Sequence, residues 1–127
     1  MQQTLKKSIS FTGACLHSGV NTNVQVHPAP ADTGIKFKRI DLKNSSEENI
    51  IDATVNNIVK SQLCTTVQNK FGNKVSTIEH LMSALHGLGI DNALIDIDSD
   101  EVPILDGSSK IFVNLIDEAG VKHLKSS

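Results

Sequence analysis

The sequence predicts an α+β fold: a two-layer sandwich in which a mostly antiparallel sheet carries two helices packed on one face. Three features point to it. Short segments of alternating apolar and polar residues fill the first half of the chain, with turn residues between them. Two stretches of helical periodicity follow, separated by one further strand. The length of 127 residues suits a single domain spanning 1–127, since domains of roughly 100–150 residues are the commonest. Trp and Tyr are absent and Phe occurs four times, so the core is expected to be aliphatic.

In order, "SISFTGACL" (8–16) alternates around Ile9 and Phe11, and "TNVQVHPA" (22–29) places Val24 and Val26 on one face. "GIKFKRI" (34–40) sets Ile35, Phe37 and Arg39 opposite Lys36 and Lys38. The Gly, Pro, Asn and Asp of "HSGVN" and "PAPADTG" make turns, which predicts that these first strands form an antiparallel meander. The polar stretch "DLKNSSEEN" (41–49) reads as a surface loop. "IIDATVNNIV" (50–59) and "LCTTVQNK" (63–70) are further strands, the second followed by a Gly72-Asn73 turn.

From residue 76 the period changes. Ile78, Leu81, Met82, Leu85 and Leu88 draw one apolar stripe, which predicts a helix over 77–88. Ser76 with Glu79 three residues on fits a capping box, and Gly89 is a natural terminator. "NALIDID" (92–98) is a strand and "EVPILDGS" (101–108) an extended loop. "SSKIFVNLIDEAG" is a second amphipathic helix, with Ile111, Phe112, Leu115, Ile116 and Ala119 inward, Asp106 or Ser108 as its cap and Gly120 at its end. His123 falls in a polar tail.

Composition narrows the function. Twelve basic against fourteen acidic residues give a formal charge of −2, and no basic run exceeds Lys6-Lys7, so a nucleic-acid partner is not expected. Neither a secretory leader's apolar stretch of about 7–15 residues nor a membrane span of about 20 is visible, which predicts no transmembrane segment and a cytoplasmic location. Cys15 and Cys64 are too few for a disulfide scaffold and read as reduced thiols.

The pair Glu79-His80 carries the chemistry. With Ile78 at zero on a helical wheel, Glu79 lies about 100° and His80 about 200° round, so His80 points away from the apolar stripe. Ala84 and Gly87 fall on the same outward side and leave room for another surface. Two readings of Glu79 stand open. It completes the cap, or it is a general base beside a neutral-imidazole metal ligand, His80. The pair is not the H-E-x-x-H helix of metalloproteases, because Ala84 stands where a second ligand would be. A helix N-terminus repels a cation, and His17, His27, His123 and the cysteines stand at no ligand spacing, so a catalytic metal would need ligands from elsewhere.

"STIEHLMSALHGLGIDN" followed by "EVPILDGSS", with "GACLHSG" and "HPAPADTGIKFKR" ahead of them, resembles the N-terminal half of the UDP-3-O-acyl-N-acetylglucosamine deacetylases, zinc-dependent enzymes of lipid A biosynthesis. The match runs from near Lys6 to about residue 120. It implies one of two similar α+β domains packed face to face around an active site, with Glu79 as the catalytic general base and His80 as the first zinc ligand. Leu63 and Cys64, in "SQLCTT", resemble a segment lining that site, and His17 lies in a signature loop beside it, which makes the three substrate-binding candidates. The family's remaining zinc ligands, on an H-K-x-x-D helix, and a catalytic histidine belong to a second, C-terminal domain that these residues do not include. The resemblance thus implies removal of acetate from an acylated UDP-N-acetylglucosamine, and an incomplete site without that partner. The competing expectation is a non-catalytic α+β module that binds a nucleotide sugar or a protein, with Glu79 only a cap. A two-layer RNA-binding domain fits less well, given the acidic balance and few aromatics.

Overall fold

The computed structural model describes residues 1–43, 46–60 and 63–125. In chain order the elements are β1 (Gln3–Leu5), β2 (Ile9–Ala14), β3 (Asn21–Pro28), β4 (Ile35–Arg39), α1 (Ser46–Asn49), β5 (Ile50–Asp52), β6 (Ile58–Lys60), β7 (Thr65–Gln68), β8 (Lys74–Ser76), α2 (Glu79–Gly87), β9 (Ala93–Ile97), α3 (Lys110–Ala119) and β10 (Val121–His123). The fold is α+β with mostly antiparallel sheets, as the residue pattern predicts.

The main sheet has five strands in the order β2-β3-β9-β4-β5. Period-two alternation fixes its inner face. Val24, Val26, Phe37, Ile51, Ile95 and Ile97 are all buried, in register from strand to strand, as in the rows Val26↔Ile95 and Ile95↔Phe37. The same core takes Leu81 and Leu85 from α2 and Phe112 and Ile116 from α3, so both helices cover that face. The outer face is polar and bonded to itself: Lys36 pairs with Asp52, and His27 Nε2 lies 3.0 Å from Asp96.

The expected meander does not hold. β2 and β3 pair antiparallel, but β9 lies between β3 and β4, antiparallel to one and parallel to the other. Ala93, Ile95 and Ile97 are fully buried, and a strand with no exposure on its inner face belongs in the sheet's centre rather than at its edge. The strand expected over 50–59 is broken in two by a single 3-10 turn at Val55–Asn57. The polar stretch 41–49 ends in α1 instead of running on as loop, and its residues 44 and 45 lie outside the described ones.

β6, β7 and β8 form a separate three-stranded antiparallel sheet, whose Val67 and Val75 join the common core. Its tight turn passes through Gly72 at φ +87°, and the Asn69 side chain accepts bonds from the Phe71 and Asn73 N–H groups. β1 and β10 make a two-stranded pair that places His123 opposite Gln3, so the expected polar tail is partly strand. Gly120 ends α3 at φ +85°, and Gly89 follows α2 at φ +75°, as the terminators require. Of the residues expected on the inner side of α3, Phe112, Ile116 and Ala119 are buried, Leu115 is half-buried and Ile111 is exposed.

The Phe112 ring meets Phe11 edge-on, with centroids 5.0 Å apart, and so locks α3 onto β2. Phe112→Ala should destabilise the fold by about 3–5 kcal/mol, read as a lower denaturant midpoint at unchanged slope. A loss under about 1 kcal/mol would show that the aromatic contact does not anchor this helix.

Candidate half-site at the start of the second helix

The segment from β8 into α2 is wedged between two neighbours. On one side Thr65 of β7 is bonded twice: its carbonyl accepts from Ile78 N at 3.3 Å, and its N–H donates to Glu79 Oε2 at 3.3 Å. On the other, Ser76 N donates to the Asp100 carbonyl at 2.8 Å and Val102 N donates to the Ser76 carbonyl at 3.0 Å. Between these bonds the chain must turn sharply, and Thr77 does so with φ at +60°, a left-handed conformation that a β-branched residue rarely adopts.

The capping box does not form. Ser76 lies in β8, where its hydroxyl accepts from Thr66 Oγ1 at 3.0 Å, and no side chain caps the helix start. Propensity marks Ser-x-x-Glu as a helix start, but strand pairing claims Ser76 first. Glu79 instead reaches sideways to β7, and its second oxygen, Oε1, is buried without a hydrogen-bond partner among the described residues. Such an atom is rare and unfavourable unless something else comes to meet it. His80, next along, is half-buried on the first turn.

Ala84 departs from expectation. It is buried in the core at 1% exposure, and α2 packs against α3, so only Gly87 of the two small residues is open to solvent.

His17, Leu63 and Cys64 meet at one cleft of about 390 Å³, which Ser76 and Glu101 also line. Glu79 lines a neighbouring apolar cleft of about 360 Å³ with Ile58, Val67, Ile78 and Met82. Thr65, which directly follows Cys64, borders this second cleft and holds Glu79. The structure therefore gathers the three substrate candidates, sets Glu79 one residue away across β7, and leaves His80 lining neither cleft. Ser61 and Gln62 of the "SQLCTT" segment lie outside the described residues.

A family model described as UDP-3-O-acyl N-acetylglycosamine deacetylase matches residues 2–127. The chain belongs to that family. Among curated deacetylases of this name, the chain is 43% identical to that of Pseudoalteromonas atlantica over 125 residues, which cover 98% of the chain and 40% of the relative. It is 47% identical to that of Idiomarina loihiensis over 121 residues, covering 95% and 39%. Against that of Neisseria meningitidis it is 47% identical over 126 residues, covering 99% and 41%. The chain thus spans about 40% of the length of these deacetylases. Among the described residues no three His, Cys, Asp or Glu side chains stand together as a metal would need. Within those residues the donors of this deacetylase-family chain are not gathered into such a set. Nor does it hold, among the described residues, a helix long and apolar enough to cross a membrane.

One residue of the site was not legible in the sequence. Glu101 is 3% exposed, and its carboxylate accepts from His17 N at 2.9 Å, Ser18 N at 3.0 Å and Thr77 Oγ1 at 3.2 Å. An acid set before the apolar run Val102-Pro103-Ile104-Leu105 was the available signal, but an extended-loop reading gives it no partner. Burial by itself pushes this carboxyl up, but the His17 and Ser18 N–H groups, with the Thr77 and Ser18 hydroxyls, outweigh it and hold it below the usual range. A carboxyl lowered on folding contributes stability that is present above the ordinary value of 4.5 and is lost as pH falls through the folded value. Glu101→Gln should lower the unfolding free energy at pH 7 by about 1.5–3 kcal/mol and flatten the acid limb of the stability profile. An acid limb unchanged by the substitution would assign that limb to other carboxylates.

Proposed function

We propose that residues 1–127 form the N-terminal domain of a zinc-dependent deacetylase that removes acetate from UDP-3-O-acyl-N-acetylglucosamine in lipid A biosynthesis, and that the domain supplies half of the active site. The observation that carries this reading is the buried, unpartnered Oε1 of Glu79, one residue before His80 at a helix start, in a chain of the deacetylase family. A carboxylate held through one oxygen, with the other left available, suits a base that must take a proton and release it.

In this reading Glu79 takes a proton from the attacking water as its oxygen bonds to the acetyl carbon; the acetamide C–N bond then breaks, that proton passes to the departing nitrogen, and acetate and the 2-amino sugar are released. Thr65 N–H orients the carboxylate throughout. His80 contributes one imidazole to zinc, and the remaining ligands come from a second domain packed over the start of α2. Zinc, when bound, supplies Lewis-acid activation of the acetyl carbonyl and of the water. His17, Leu63 and Cys64 contact the acylated substrate, which their common cleft supports. The exposed apolar residues Val55, Val59 and Leu63 suit burial against that second domain. Cys15 and Cys64 stand as thiols rather than as a disulfide, in keeping with a reducing cytoplasm. The reading of Glu79 as a mere cap loses its support, since no capping bond forms.

Two substitutions in the two-domain protein test the roles separately. Glu79→Ala should keep zinc and lower the rate about 10²–10⁴-fold, the usual contribution of a general base, whereas His80→Ala should lose the metal. An unchanged rate for Glu79→Ala would remove it from catalysis. By itself the 127-residue chain should bind zinc weakly and show no turnover, measured as metal content after dialysis and acetate release.

A further inference from the structure

We propose that Glu101 is a positioning residue for Glu79 and His80: by holding the Thr77 hydroxyl it fixes the left-handed residue from which α2 departs, and so sets where both side chains project. This rests on the reading of Glu79 as the general base. Thr77 stands two residues before Glu79 and three before His80, within one helical turn, so a rotation at its backbone swings both. Its φ of +60° is unfavourable for a threonine, and its buried hydroxyl donates to Glu101 Oε2 at 3.2 Å.

The same oxygen accepts from His17 N, and Oε1 accepts from Ser18 N. The Glu101 backbone is held as well: it bridges to Ser76, and its carbonyl accepts from Cys15 Sγ at 3.2 Å. One carboxylate thus joins the turn that carries His17 to the helix start that carries Glu79 and His80. Those are the two sides of the proposed site, and a structural role alone gives no reason for both to share one anchor.

The test compares Glu101→Gln with Thr77→Gly, each beside Glu79→Gln, in this chain and in the two-domain protein. Gly accepts positive φ without strain, so Thr77→Gly removes the hydroxyl while sparing the fold. In the chain, amide exchange at Ile78 and Met82, whose N–H groups close the helix start, should quicken about tenfold in both variants, with β3 and β9 still protected in Thr77→Gly. In the two-domain protein both should lower kcat about 10- to 100-fold with KM and zinc content held, since a displacement near 1 Å can cost about 10²-fold. Wild-type exchange and kcat in Thr77→Gly would overturn the proposal, as would a loss in Glu101→Gln that merely tracks its melting temperature. If Glu79→Gln keeps its rate, the base reading fails by itself, and the exchange data still decide whether Glu101 holds the helix start.

Discussion

The buried carboxylate of Glu101 is the constraint on which the rest of the site depends. From the residues after β9 it joins two segments distant in sequence: the turn after β2 and the junction of β8 with α2. Burying a charge is unfavourable unless donors replace the lost water, and here two N–H groups and the Thr77 and Ser18 hydroxyls do so. Hydrogen bonds to a charged group contribute about 1.5–3 kcal/mol each, against about 1–3 kcal/mol for one left-handed non-glycine residue. The Thr77 hydroxyl bond, together with the backbone bonds of Ser76 and Ile78 on either side, holds Thr77 in a conformation that it would not keep in isolation.

That junction explains why Glu79 is only half satisfied. With α2 starting two residues after the sharp turn at Thr77, Glu79 faces β7 and can meet the Thr65 N–H, but nothing in this chain's described residues reaches its other oxygen. The core, by contrast, is one connected cluster: buried residues of the main sheet pack with those of both long helices and of the three-stranded sheet. Stability and chemistry therefore sit in different places. The largely aliphatic core holds the domain together by its own packing, while the helix start carries a half-satisfied carboxylate and a half-buried imidazole beside two clefts, with no closed set of metal ligands among the described residues. A buried carboxylate oxygen without a donor is unfavourable as it stands, and the chain spans about 40% of the length of its relatives.

Sequence by itself determined which face of the strands within 8–16, 22–29 and 34–40 turns inward and the apolar stripe of α2, because these follow from local periods of two and about 3.6 residues, and it set Glu79 beside His80. It also carried the family, through motifs that are contiguous in the chain. Tertiary structure alone decided which strands are neighbours, so that β9 divides β3 from β4 and the meander fails. It alone converted Ser76 from a cap into a strand residue, buried Ala84, and brought Glu101 to Thr77 across 24 positions of sequence. Each of these outcomes is a contest between a local preference and a non-local partner. The period of a segment says which way its side chains point, but not what will be waiting there.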